Sequence, residues 1–274
     1  MAIRSLLFVP GSRPDRFEKA LATAADLVVI DLEDAVLPDE KDVARQTVVD
    51  VLSGSAQTGR LAVRINSPRT FYGCADIAAI AASTASPAAI MVPKVEHEVD
   101  LEIASEALGA LGQALVPVIE TGRGLENAYA IARHEAVSSL LFGGADFSAE
   151  LGTGLDWEAL AYARGRLVSL ASSAGKAIID VPFLDVGDAD ALAAEAARVK
   201  AIGFDGKACI HPAQVETVNT VFSPTAEDVK AASRVLDAFR KAEGGAVLLD
   251  GKLIDRPVVL AAERTLSKAQ QGAG

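Results

Sequence analysis

Eight times along this 274-residue chain, a short apolar run gives way to a stretch of helical periodicity. The runs are Ser5 to Val9, Leu27 to Leu32, Leu61 to Ile65, Ala89 to Val92, Ala114 to Ile119, Ser139 to Phe142, Lys176 to Val181 and Gly206 to Ile210. Most are continuous rather than alternating, the pattern of strands buried on both faces. Phe17, Ala20, Leu21 and Ala24 follow the first run at helical spacing, with Ser12 as the expected N-cap and Asp15 three residues on. A helix opened by Pro38 follows the second. Later helices are expected over Asp76 to Ser83, Leu101 to Leu111, around Leu125 to Ala132, Trp157 to Ala174 and Asp188 to Ile202, with a last one opened by Pro212. Strand–helix alternation implies right-handed crossovers and a parallel sheet. Eight such units predict an α/β fold, a (β/α)8 TIM barrel, for which this length is ordinary. An open doubly wound sheet is the alternative, but no G-x-G-x-x-G follows the first run.

The tail has a different character. After a helix over Thr225 to Glu243, Ala246 to Asp255 reads as a hairpin turning at Asp250-Gly251, and Val258 to Leu266 as a capped helix. A closed barrel has no vacancy for either. The expected organisation is a barrel over residues 1–243 and a C-terminal hairpin–helix extension over 244–274, packed outside the barrel or on a neighbouring subunit.

A barrel of this type carries its chemistry at the carboxyl ends of its strands. Polar residues gather there: Arg13, then Asp31, Glu33 and Asp34, then Arg64 and Asn66, then Lys94, Glu120, Asp146, Asp180 and His211. Val116-Pro-Val-Ile-Glu120-Thr-Gly-Arg-Gly124 and Leu140-Leu-Phe-Gly-Gly-Ala-Asp146 carry the sharpest signal. Each is an apolar run ending in a carboxylate and glycines. Singly, Glu120 could be a surface glutamate and Asp146 a helix cap. Together, on adjacent strands, two hard oxygen ligands suit Mg²⁺, which leaves positions for substrate and water. The glycines let backbone N–H groups approach an anion beside it.

A net charge of −11 argues against nucleic acid as the main partner, though a local basic patch could still hold an anionic small molecule. No apolar run approaches membrane length, and Ile3 to Val9 is broken by Pro10-Gly11 and lacks a signal-peptide pattern. Cys74 and Cys209 form no CxxC pair or disulfide framework, so the expected setting is a reducing cytoplasm.

At these residues the sequence resembles the citrate lyase β-subunit-like proteins of the HpcH/HpaI aldolase superfamily. The pieces are Leu7-Phe-Val-Pro-Gly-Ser-Arg-Pro14, Ile30-Asp-Leu-Glu-Asp-Ala-Val36, Val63-Arg-Ile-Asn66, Met91-Val-Pro-Lys94, Ile119-Glu-Thr-Gly-Arg-Gly124, Gly143-Gly-Ala-Asp146 and Cys209-Ile-His-Pro-Ala-Gln214. Gly251-Lys-Leu-Ile-Asp-Arg-Pro257 resembles the tail motif of the acyl-CoA lyases in that group. The resemblance implies a Mg²⁺-dependent carbon–carbon lyase, with Mn²⁺ able to substitute, working as a homotrimer or hexamer. Its substrates would be a 3-hydroxy-3-carboxy-acyl thioester of malyl-CoA, citramalyl-CoA or citryl type, giving an acyl-CoA and an α-keto acid. It makes Glu120 and Asp146 metal ligands, Arg64 the holder of the thioester oxygen, and Asp255 an acid/base shared across a subunit interface. Asp255 also reads as an ordinary N-cap before Pro257.

Residue chemistry agrees with that reaction. A guanidinium at Arg64 can meet the developing enolate oxygen. Glu33 is expected to orient Arg64 or a metal-bound water, or to belong to a solvated acidic loop. Arg13, Arg16, Lys19 and Arg69 are candidates for the CoA phosphates, with a solvated basic face the alternative for Arg16 and Lys19. Ala145, inside the glycine motif, is a further candidate substrate contact. Lys94 is read as an ion-pairing or CoA-contacting residue, with a Schiff-base lysine the alternative. His211 reads as a structural rim histidine. Two other functions stay open: hydrolysis of a malyl-CoA-type thioester, and a subunit that serves a carrier-bound thioester or only binds a partner.

Overall fold

The computed structural model describes residues 3–54, 58–83, 86–109, 112–242 and 245–271. Eight parallel strands close into a barrel in chain order. They are β1 (Ser5–Pro10), β2 (Leu27–Asp31), β3 (Leu61–Arg64), β4 (Ala89–Val92), β5 (Leu115–Ile119), β6 (Ser139–Phe142), β7 (Ala177–Asp180) and β8 (Gly206–Cys209). The seam pairs Ser5 with Lys207 and Leu7 with Cys209. A β-carbon on Gly206 would press into the carbonyl oxygens of Ile3 and Arg4, so the chain needs a glycine where the barrel shuts.

Side-chain alternation divides each strand between two cores. Leu6, Leu27, Val29, Ala62, Met91, Val116, Val118, Leu141, Ile179 and Ala208 share one buried cluster, the filling of the barrel. The intervening Val28, Ile30, Val63 and Ile90 are fully buried as well, on the helix side. This double burial explains why the runs read as unbroken apolar stretches.

The helices are α1 (Phe17–Leu21), α2 (Lys41–Gly54), α3 (Phe71–Ala82), α4 (Glu98–Leu108), α5 (Gly122–Arg133), α6 (Gly144–Leu151), α7 (Trp157–Ser173), α8 (Ala189–Ile202) and α9 (Pro212–Phe222). Four starts differ from expectation, the simplest being α4, which begins at Glu98 rather than Leu101 with His97 in the cap position. Ser12 caps nothing: Pro14–Arg16 form a 3-10 turn whose cap position is Arg13, and Asp15 is occupied by the Arg13 guanidinium at 2.9 and 2.8 Å. Pro38 lies in a turn, and α2 begins at Lys41, whose ammonium is drawn inward to Leu32 O, Glu33 O and Asn66 Oδ1. Helix α3 starts at Phe71 rather than Asp76 because Thr70 Oγ1 accepts the Gly73 N–H at 3.1 Å. The expected end of the fourth helix at Leu111 lies outside the described residues.

Asp180 is a structural residue. Ile179 faces the barrel interior, so its neighbour faces the helices. There Asp180 takes Arg164 Nε at 2.9 Å and Lys207 Nζ at 2.7 Å, and Lys207 also reaches Val181 O and Glu195 Oε1 at 2.7 Å each. Arg164, Asp180 and Lys207 are all fully buried.

Contacts divide the chain into two units, residues 3–219 and the residues from Thr220 onward. In the second unit, α10 (Ala226–Lys241) is capped by a reciprocal Thr225–Asp228 box and packs on α11 (Arg256–Gln271). Between them the antiparallel strands β9 (Val247–Leu249) and β10 (Lys252–Ile254) turn through Asp250 and Gly251, both at positive φ (51° and 77°), as a two-residue hairpin loop of this sequence requires. The sequence boundary at 243/244 falls outside the described residues. No described helix is long and apolar enough to cross a membrane.

Replacing Asp180 with alanine leaves two buried cations facing each other. Urea unfolding of Asp180→Ala is expected to show a loss of about 3–5 kcal/mol. A loss below about 1 kcal/mol would mean that solvent reaches the cluster.

Candidate active site

The strand register assembles the site. Asp31 and Arg64 are the last residues of β2 and β3 and stand directly opposite each other in the ladder. Asp31 accepts Nε of Arg64 at 2.7 Å and Nη2 at 2.6 Å, a two-point clasp with little solvent access. The Phe8 ring, 4.9 Å from the guanidinium carbon, supports the same group. Glu33 was expected to orient Arg64. Asp31 performs the larger part of that task, and Glu33 Oε2 adds an ion pair to Nη1 at 3.1 Å without hydrogen-bond geometry.

Asp31 in turn accepts the N–H groups of Glu33 at 2.9 Å and Ala35 at 3.3 Å, which folds the loop after β2 back over the barrel mouth. Lys41 pins that loop from below. Asn66 joins in, donating to Leu32 O and Asp76 Oδ2 at 2.9 and 2.7 Å. Sequence reasoning missed Lys41, Asp76 and the clasp on Asp31. Nothing in a polar helix start marks Lys41 as buried.

Glu120 directly follows β5, and Asp146 lies in the first turn of α6, after the neighbouring strand β6. Both ordinary readings fail. Glu120 is buried, so it is no surface glutamate. Asp146 sits inside the helix, where Gly143 holds the cap position. A β-carbon on Gly143 would come within 2.6 Å of Glu120 Oε2, so the glycine motif leaves room for that carboxylate. Burial, aided by Glu33 and Asp146, pushes the Glu120 carboxyl up to about 8. Burial also raises Glu33, against the pull of Arg64 and Lys94. A buried carboxyl so reluctant to ionise, beside a second carboxylate, is the electrostatic complement of a cation. No cluster of three or more His, Cys, Asp or Glu suited to a metal occurs among the described residues. Two carboxylates with open positions fit a hard six-coordinate cation such as Mg²⁺ and do not fit a closed structural zinc site.

Lys94 adopts a left-handed backbone (φ 54°). Its N–H donates to Glu120 Oε1 at 2.6 Å, while its ammonium donates to Glu33 Oε1 at 2.5 Å and lies 3.6 Å from both Asp34 and Asp146. Burial alone would lower the lysine, but the Glu33 hydrogen bond and the surrounding carboxylates raise it. A Schiff-base lysine needs the opposite shift, so that alternative falls.

The remaining candidates take no part in the hydrogen bonds of this cluster. Arg13 is exposed and held by Asp15, and Arg16 is exposed on the same 3-10 turn. Arg69 is committed to Asp100 at two points and to Glu96. Ala145 is exposed in the first turn of α6. His211 Nδ1 accepts the Ala213 N–H at 3.2 Å at the start of α9, the expected structural role. Within the second unit, Asp255 Oδ1 lies 3.4 Å from the Val258 N–H, a loose cap on α11.

Known proteins similar to this chain include two enzymes and a solved structure. The (3S)-malyl-CoA thioesterase of Cereibacter sphaeroides is 38% identical over 273 residues, covering 97% of this chain and 94% of its own length. The mitochondrial citramalyl-CoA lyase of Rattus norvegicus is 30% identical, covering 97% of this chain and 86% of its own. The crystal structure of protein CitE from Mycobacterium tuberculosis, in complex with magnesium, acetoacetate and coenzyme A, superposes with a TM-score of 0.83 at 33% identity and 98% coverage of both chains. Residues 4–212 match the family model described as HpcH/HpaI aldolase/citrate lyase, and the chain belongs to that family.

Proposed function

We propose that this protein is a Mg²⁺-dependent lyase that cleaves or forms the carbon–carbon bond of a 3-hydroxy-3-carboxy-acyl-CoA, of malyl- or citramalyl-CoA type. The observation that carries the reading is the Arg64–Asp31 clasp on the same barrel rim as the Glu120–Asp146 pair. Glu120 and Asp146 hold the cation, and Mn²⁺ serves in its place. Once bound, the cation supplies Lewis-acid polarisation and orientation of the keto-acid oxygens. Arg64 meets the thioester oxygen. When the carbon–carbon bond breaks, its electron pair becomes an enolate whose oxygen charge faces the guanidinium. Asp31 keeps that guanidinium from turning, so its geometry is set before the charge develops. A base takes the hydroxyl proton, and an acid returns one to the enolate carbon, leaving acyl-CoA and an α-keto acid. Asp255 from a neighbouring chain is the acid/base on the enolate side, in a homotrimer or hexamer. Arg13, Arg16 and Ala145 contact the CoA moiety.

Thioester hydrolysis is the second reading, favoured by the likeness to a (3S)-malyl-CoA thioesterase. Product analysis with malyl-CoA separates the two. Acetyl-CoA plus glyoxylate supports cleavage; free malate and CoA without glyoxylate overturns it. The same assay tests the metal pair: Glu120→Gln, Asp146→Asn and excess EDTA should each abolish turnover, and full activity in EDTA would reject the metal.

Glu120 also sets a pH dependence. Its carboxyl is raised from an ordinary 4.5 to about 8, so the fold retains a proton that the unfolded chain has lost. Its contribution to metal-free stability therefore falls as pH rises from 4.5 towards 8. Cation binding must expel this proton, so affinity should rise about tenfold per pH unit below that value and level off above it. Calorimetry at pH 6.5 in two buffers should show about one proton released per cation. A pH-independent affinity would show that cation binding expels no proton from Glu120.

Arg64→Ala should lower turnover ~10²–10³-fold with cation affinity nearly unchanged. A twofold loss in turnover would make Arg64 structural.

The tail supplies a further test. If Asp255 serves a neighbouring chain, mixing inactive Asp255→Asn with inactive Glu120→Gln should restore part of the acetyl-CoA condensation with glyoxylate. Hybrids then contain sites with both native residues. Absence of restored activity, with subunit exchange confirmed by native mass spectrometry, would reject the shared site.

A further inference from the structure

We infer that Lys94 is a positioning residue that acts as the built-in counter-cation of the carboxylate rim: its ammonium gathers Glu33, Asp34 and Asp146 when no cation is bound and competes with the divalent cation for Asp146. The inference rests on the metal reading above and adds the charge that the cation must displace.

Lys94 is the one residue described above that touches both carboxylates of the proposed metal pair. Its N–H is bonded to Glu120, and its ammonium lies 3.6 Å from Asp146 Oδ2. The contact with Glu33, at 2.5 Å, is a hydrogen bond to a buried acceptor. Those with Asp34 and Asp146, at 3.6 Å, are too long for hydrogen bonds and act through charge alone. The ammonium therefore has a fixed end on Glu33 and a loose end facing Asp146. The lysine side chain is 43% exposed, and its flexible stem lets the loose end swing towards solvent.

The backbone supports a dedicated placement. A left-handed non-glycine residue crowds its own β-carbon against the following carbonyl oxygen, so it persists only where the surroundings hold it. At φ 54° Lys94 turns the chain so that its N–H points at β5 and its side chain back towards the loop after β2. Removing only the ammonium then has two opposed effects. The metal-free rim loses a counter-charge, and the cation-loaded rim loses a repulsion. A purely supporting lysine would move both states in one direction.

The test uses the full chain, stripped with EDTA, with MgCl₂ and MnCl₂ as probes. Lys94→Met should lower the melting temperature of the metal-free protein while tightening the calorimetric Kd for Mg²⁺ roughly tenfold at low salt, the size expected for one unit charge in a half-exposed site. Lys94→Arg, which restores the charge, should return the Kd to within about threefold of wild type. Lys94→Gly removes the same charge and relaxes the left-handed backbone, so it answers the question if the methionine variant folds poorly. Kd values that are unchanged or weaker in both charge-removing variants overturn the counter-cation role while leaving the metal reading intact. Failure of the wild type to bind either cation overturns both.

Discussion

The site depends on the pairing of β2 with β3. Asp31 and Arg64 close their strands at the same rung of the ladder, so the clasp between them follows from the register itself. A slip of one residue would turn either side chain to the opposite face of the sheet. The hydrophobic filling enforces that register. Leu27, Val29 and Ala62 lie in the barrel cluster, and the residues alternating with them are buried against the helices. The position of the guanidinium is thus decided by apolar packing that begins several ångströms below it.

Two ionic assemblies on this barrel show how one scaffold separates function from support. Asp180, Arg164 and Lys207 face the helix layer, with no solvent access. With Glu195 as the second carboxylate, on Lys207, their charges balance, which is a structural arrangement. The rim assembly is unbalanced. Asp31, Glu33, Asp34, Glu120 and Asp146 outnumber Arg64 and Lys94, and burial raises the Glu120 carboxyl to about 8. A fold carries such an imbalance where something else is meant to complete it.

The barrel could be read from the sequence because each strand is buried twice, which writes short unbroken apolar runs into the chain. The Glu120 and Asp146 pair was legible for a related reason: each follows such a run and keeps company with glycines. Gly143 has a measurable cause, since a side chain there would occupy the space of Glu120. The two-point hold of Asp31 on Arg64 was not legible, because three acids crowd the end of β2 and only a non-local register chooses among them. Asp180 looked like a rim residue from its place at the end of a strand. A single step along the alternation turned it outward. Lys41 gave no signal at all. Its burial arises from the loop that it pins, and that loop takes its shape from Asp31.

Closure through Gly206 has a consequence for how the molecule is made. β1 is hydrogen-bonded on one side to β2, its near neighbour in the chain, and on the other to β8. During synthesis the first strand is available within a few seconds of its partner. Its second edge must wait until Gly206 to Cys209 has left the ribosome. For that interval the nascent sheet presents a bare row of peptide groups at each end, the usual template for association with another chain. Joining the two edges also carries the entropy of closing a very long loop. The same glycine that lets the seam approach so closely makes the last rung the step on which an edgeless barrel depends.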